Sequence, residues 1–226
     1  MDITNNLDII KKSIPDNVTL VAVSKTKPEE LILEAYQSGH KIFGENKVQE
    51  LVRKQGNLPK EIEWHFIGHL QTNKVKYIAP FVSLIHGVDS FKLLKEINKQ
   101  AAKNQRIQSC LLQIHIAEEE TKFGLSKDEV TEILESNEFK MLDHIEISGL
   151  MGMATYTDDT EQLHAEFRSL NVFFHQIKEK YFKNSRTFME LSMGMSDDYI
   201  IAIEEGSTMV RIGSSIFGLR NYQTNN

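Results

Sequence analysis

A lysine stands at the end of a short apolar run in Leu20-Val21-Ala22-Val23-Ser24-Lys25-Thr26-Lys27-Pro28. The apolar residues, two of them β-branched, fit a strand covered on both faces, and Pro28 ends the extended segment before a helix opens at Glu29. Side chains alternate along a strand, so Lys25 shares a face with Val21 and Val23, while Leu20, Ala22 and Ser24 point the other way. An amine held there loses part of its hydration, which disfavours the ammonium form and favours attack on a carbonyl. A solvated strand-end lysine is the competing reading. Two later stretches, Leu191-Ser192-Met193-Gly194-Met195-Ser196-Asp197-Asp198 and Arg211-Ile212-Gly213-Ser214-Ser215, combine glycine with serine. Glycine lets backbone N–H groups approach an anion, serine adds hydroxyl donors, and Ser196 precedes a helix whose positive end favours negative charge. Ser192 and Ser196 read equally well as ordinary caps and turns. Arg211 shares a face with Gly213, and a guanidinium pointing inward needs a carboxylate, a ring nitrogen or a phosphate.

These residues are carried by a regular alternation of strands and helices. After an opening amphipathic helix, strands are predicted over 20–25, 41–46, 63–68, 83–89, 107–116, 145–153, 187–193 and 209–213. Helices are predicted over 29–38, 48–54, 73–77, 91–103, 160–180 and 197–205, with a further one opening near Ser126. Gly39 suits a helix C-terminus, Asp89 or Ser90 an N-cap, and Ser126 with Glu129 a capping box. Eight strand-helix units within 226 residues predict a single-domain α/β fold over 1–226, a closed (β/α)8 TIM barrel with an extra N-terminal helix. An open doubly wound sheet is the alternative, but the turn after the first strand lacks the glycines of a dinucleotide or Walker loop. In a barrel the site lies at the carboxyl ends of the strands, which brings Lys25, Asn46, the two Gly/Ser loops and Arg211 to one mouth. An aldehyde-accepting lysine, a phosphate cup and an interior arginine together describe a site for pyridoxal 5'-phosphate (PLP).

Composition narrows the partners. The net charge is −6, with both signs interspersed, so no basic stripe points to nucleic acid or a membrane surface. No apolar run approaches the roughly 20 residues that span a bilayer, and Met1 to Ser13 lacks a signal-peptide core. The single cysteine, Cys110, lies in an apolar strand pattern and reads as a packed thiol. A reducing cytoplasm is the expected location. His65, His69 and His86 come from different segments without metal-ligand spacing and are expected to pack separately or lie at the surface; no metal site is expected. Glu118-Glu119-Glu120 reads as a solvated loop, and Asp197-Asp198 as electrostatic support for the following helix. Lys27 and Lys74 are left open between transient cofactor acceptors and solvated side chains. No heptad seam argues against a monomer.

Taken together, Val21-Ala22-Val23-Ser24-Lys25-Thr26-Lys27-Pro28, Phe43-Gly44-Glu45-Asn46, Trp64-His65-Phe66-Ile67-Gly68, Gly149-Leu150-Met151 and the run from Leu191 to Gly218 resemble the pyridoxal phosphate homeostasis protein family. That family is similar to the amino-terminal barrel of alanine racemase, a fold-type-III PLP fold. The resemblance implies that Lys25 is the Schiff-base lysine, with Asn46 near the cofactor ring and Arg211 at the pyridine nitrogen. It places Ser192, Ser196, Gly213 and Ser214 around the phosphate. His69 stands where many relatives have proline, Lys47 where an aromatic is frequent, and Ser214 where threonine is common. Racemases of the similar fold draw a second acid/base tyrosine from an additional β domain; the chain ends at Asn226, and no such C-terminal β domain is expected. The implied role is therefore a PLP carrier or buffer in vitamin B6 homeostasis, without robust turnover, acting indirectly on amino-acid and keto-acid pools and passing PLP to apo-enzymes. A PLP-dependent amino-acid racemase is the alternative, and a cofactor-free Schiff-base aldolase a third reading.

Overall fold

The computed structural model describes residues 2–117 and 123–218. Its strands are β1 (Thr19–Val23), β2 (Ile42–Glu45), β3 (Glu63–Phe66), β4 (Leu84–Val88), β5 (Gln108–Ile114), β6 (Ile145–Gly152), β7 (Glu190–Met195) and β8 (Met209–Ile212). They close into a barrel in chain order, each parallel to its neighbours, with β8 returning to pair with β1. Around it run α1 (Ile3–Ser13), α2 (Glu29–Gln37), α3 (Val48–Asn57), α4 (Val75–Ile78), α5 (Phe91–Lys103), α6 (Lys127–Glu135), α7 (Thr160–Tyr181), α8 (Tyr199–Glu204) and α9 (Ser214–Phe217). The closed (β/α)8 barrel with its additional N-terminal helix is thus the observed architecture, not the open sheet.

Strand alternation divides the core in two. Val21, Leu84, Leu111, Met151 and Met209 meet inside the barrel, whereas Leu20, Ala22, Phe43, Ile85, Leu112 and Leu150 pack outward beneath the helices. Lying on the inward face of β1, Val21 points the strand's next two inward positions, Val23 and Lys25, toward the barrel's carboxyl end. Helix signals behave as their chemistry dictates: Ser90 rather than Asp89 caps α5 by accepting from Leu93 N–H, and Ser126 with Glu129 closes a reciprocal capping box on α6. Buried Cys110 is packed in the outer layer, where burial pushes its thiol well above the usual range.

Several boundaries differ from expectation. Residues 187–189 lie outside the strand, although Met189 N–H still donates to Ser148 O at 2.9 Å, and Phe188 is buried in the outer core, stacked on Phe174 and Phe182; β7 starts at Glu190 and runs on to Met195. Helix α8 starts at Tyr199, because the Asp198 carboxylate instead accepts from Met195 N–H and tightens the preceding turn. The strand-end extensions at Lys25 and Gly68 become turns, and α9 after β8 was not predicted. Helix α1 lies across α2 and the single-turn α9: Asn6 Nδ2 donates to Ile216 O at 2.9 Å, and Ile3 N–H donates to Glu34. Among the described residues no helix is long and apolar enough to cross a membrane. The solvated-loop expectation for Glu118-Glu119-Glu120 lies outside the described residues.

Candidate functional site

The carboxyl ends of the strands surround a cavity of about 740 Å³, a size suited to a small cofactor. Its lining includes Lys25, Asn46, Ser196, Arg211, Gly213 and Ser214. Six of the seven residues expected to bind the cofactor therefore share one cavity. Lys25, half-buried, follows β1 in a turn closed by Lys27 N–H donating to Ser24 O at 3.0 Å. Asn46 follows β2, and its Oδ1 is buried with no hydrogen-bond partner in the protein. From the far side come Ser196 after β7 and Gly213-Ser214 after β8, with Gly213 N–H donating to Ser196 Oγ at 3.2 Å. A Cβ on Gly213 would lie 3.0 Å from Val23 O, so even an alanine there would press on β1.

Ser192 does not line the cavity; it is fully buried beneath it. Arg211 Nη1 donates to Ser192 Oγ at 2.7 Å and to Ser192 O at 2.9 Å, while Nη2 donates to Gly152 O at 3.1 Å. Burial lowers Arg211 to about 10, partly offset by Asp198, so the guanidinium is charged at neutral pH. No described carboxylate lies within ion-pair distance of it. The acceptor required by a buried arginine is thus supplied by backbone carbonyls and one hydroxyl, with no carboxylate among its hydrogen-bond partners.

Sequence reasoning missed what lies under Ser192. The Ser192 hydroxyl reaches His86 Nδ1 at 3.0 Å, and His86 Nε2 reaches His65 Nδ1 at 3.1 Å. Since a guanidinium only donates, Ser192 accepts from Arg211 and donates its own O–H to His86 Nδ1, which places the proton of neutral His86 on Nε2 toward His65. Burial lowers His65 to about 4 and His86 well below 6.5, with His65 and Arg211 adding to the shift at His86, so both rings are neutral. His65 and His86 therefore do not pack separately as expected: they form one buried pair. The alternation of β4, with Leu84 and His86 on one face, was the signal for this. His69 instead lies at the mouth, stacked on Phe123 and hydrogen-bonded to Asp89 at 2.8 Å. Lys27 Nζ donates to Gly218 O at 2.8 Å, and Lys74 lies 5.8 Å from the Tyr77 ring. Among the described residues no three His, Cys, Asp or Glu side chains gather as metal ligands.

A strand-end amine, an interior cation, an unpaired amide and a Gly/Ser cradle fit a cofactor with an aldehyde, a heteroaromatic ring and an anionic tail. Fold and site together define a chain of the alanine racemase barrel class, and the family profile described as "Alanine racemase, N-terminal domain" matches residues 2–221. The chain belongs to the pyridoxal phosphate homeostasis protein family. It is 42% identical to the pyridoxal phosphate homeostasis protein of Aquifex aeolicus over 204 residues, covering 90% of this chain and 87% of that one. With the protein of the same name from Haemophilus influenzae it shares 38% identity, covering 99% and 98%. Among solved structures it is similar to PipY of Synechococcus elongatus PCC7942 at 32% identity, covering 96% of this chain and all of that one. The TM-score is 0.88 to PipY without PLP and 0.86 to PipY with PLP bound.

Proposed function

We propose that this protein binds PLP as a Schiff base on Lys25 and acts in PLP homeostasis as a carrier or buffer in the cytoplasm. The observation that carries the reading is the convergence of Lys25, Asn46, Ser196, Arg211, Gly213 and Ser214 on one cavity. PLP would supply a reactive aldehyde, and Lys25 is the cavity amine that would hold it. The residues then divide the work. Ser196 Oγ, Ser214 and the backbone around Gly213 would receive the phosphate, and Asn46 would lie beside the ring. Arg211, buried at the cavity floor, would stand toward the pyridine nitrogen. As a permanent cation with only donors, it opposes protonation of that nitrogen and so weakens the ring as an electron sink, which favours holding the cofactor over turning over amino acids. The protein is proposed to work as a monomer, with PLP-dependent apo-enzymes as recipients.

The test is the visible spectrum of purified protein with added PLP, followed by borohydride reduction and peptide mass mapping. Phosphopyridoxyl fixed on Lys25, and lost in Lys25→Ala, is the expected result. A protein left colourless and unmodified would overturn the reading, and sustained racemisation of an amino acid that depends on Lys25 would replace the carrier role with an enzymatic one.

A further inference from the structure

Behind the cavity wall, on the outward side of β1, sits a polar cluster withdrawn from solvent. The Lys54 side chain on α3 has no exposed surface, nor has that of Glu45. Lys54 Nζ donates to Ser24 O at 2.8 Å, to Glu45 Oε1 at 2.7 Å and to Glu50 Oε1 at 2.7 Å, which uses all three of its protons. Each carboxylate reaches one step further. Glu45 Oε1 accepts from Ser24 Oγ at 2.6 Å, and Glu50 Oε1 accepts from Thr26 N–H at 2.7 Å. Every group outside the trio that these bonds hold therefore belongs to the residue just before or just after Lys25.

The turn they grip is strained. Thr26 has φ +65°, a left-handed conformation that favours glycine at the third position of a turn and is costly for a β-branched residue. A buried ion pair is a poor route to stability, since desolvation consumes most of its attraction. A fully buried ammonium that holds one strained turn directly through Ser24 O, and indirectly through two carboxylates bonded to Ser24 Oγ and Thr26 N–H, is better explained by what that turn presents.

We propose that Lys54, with Glu45 and Glu50, is a positioning device for Lys25: it locks Ser24 and Thr26 so that the intervening lysine is aimed into the cavity before any ligand arrives. This rests on the reading of Lys25 as the PLP-accepting residue. Without the clamp the turn relaxes toward right-handed conformations at Thr26, and binding must first restore it.

The test titrates wild type, Lys54→Met, Glu50→Ala and Glu50→Gln with PLP, reading the visible absorbance and the borohydride-fixed mass on Lys25, with a thermal melt of each ligand-free protein. Lys54→Met and Glu50→Ala are expected to raise the apparent dissociation constant about tenfold, the order set by one left-handed residue. Glu50→Gln keeps an oxygen for Thr26 N–H and is expected to stay near wild type. Adding Thr26→Gly to Glu50→Ala is expected to recover most of the loss, because glycine takes the conformation unaided. Wild-type affinity in Lys54→Met and Glu50→Ala, or a change in melting temperature alone, would overturn the inference. If Lys54→Met fails to fold, Glu50→Ala decides, since the Glu50 side chain is 15% exposed. Wild type left unmodified at Lys25 would overturn the functional reading, and this inference with it.

Discussion

At the scale of single residues, the site depends on a buried cation whose hydrogen bonds, among the described residues, all go to uncharged acceptors. Arg211 is held by Ser192 Oγ, Ser192 O and Gly152 O, so its orientation rests on uncharged acceptors. Removing the hydroxyl leaves one guanidinium N–H to the carbonyl alone and leaves His86 Nδ1 without its donor. Ser192→Ala is expected to cost about 1–3 kcal/mol of stability, the range for a buried polar group that loses its partner, measured by urea denaturation of the ligand-free protein. It should also weaken PLP binding, because Arg211 is freed to tilt. An unchanged urea midpoint would show that the hydroxyl is replaced by water. That Lys25 and Arg211 meet at one cavity was legible in the sequence because a charged residue at a strand end is chemically conspicuous. Ser192 was legible as a residue but not in its place. Glycine-rich context suggested a phosphate loop, whereas strand β7 extends past it to Met195 and draws it down into the barrel.

Element by element, the barrel was readable because each strand is a compact apolar run and each helix has its own punctuation. What could not be read was local irregularity in pairing. Between β5 and β6 the register slips, Cys110 pairing with Ile147 but Leu111 with Gly149, so Ser148 is bulged out. Gly149 takes φ +153°, and a Cβ there would meet Glu190 O on β7 at 1.8 Å. No rotamer relieves a clash with backbone, so Gly149→Ala must displace β6 or β7. The expected cost exceeds about 3 kcal/mol, above ordinary overpacking, and would appear as a large drop in urea midpoint or in soluble yield. Since β6 delivers Gly152 O to Arg211, any folded fraction should also bind PLP more weakly. The clamp of Lys54, Glu45 and Glu50 was likewise invisible. An α3 lysine four residues from a glutamate reads as a surface pair, and only the packing of α3 against β2 turns it inward.

For the molecule as a whole, the buried histidines work against stability as pH falls. His40, Nε2 against Ile42 O at 2.8 Å, and His65 are both lowered to about 4, chiefly by burial, and His86 is lowered well below 6.5. In the unfolded chain each titrates near its usual 6.5, so between about 6.5 and 4 the unfolded state binds more protons. The histidines' contribution is then full at neutral pH and falls as pH drops through that window, by roughly 2 kcal/mol at pH 5 for each histidine lowered to about 4. Glu45, Glu190 and Asp198 act in the opposite sense. Their carboxyls are raised by burial, so folding takes up protons there and their contribution grows on acidification. Comparing two proteins that share those carboxyls removes this opposing part. His40→Gln, which keeps a polar group near Ile42 O, is expected to lose roughly 2 kcal/mol less than wild type between pH 7 and pH 5 in urea denaturation. His65→Phe should flatten the same slope but also disturb His86, Ser192 and Arg211, so its PLP affinity should fall while that of His40→Gln is unchanged. Parallel stability losses in wild type and His40→Gln would mean that His40 is protonated in the folded protein and that its burial is relieved by local opening.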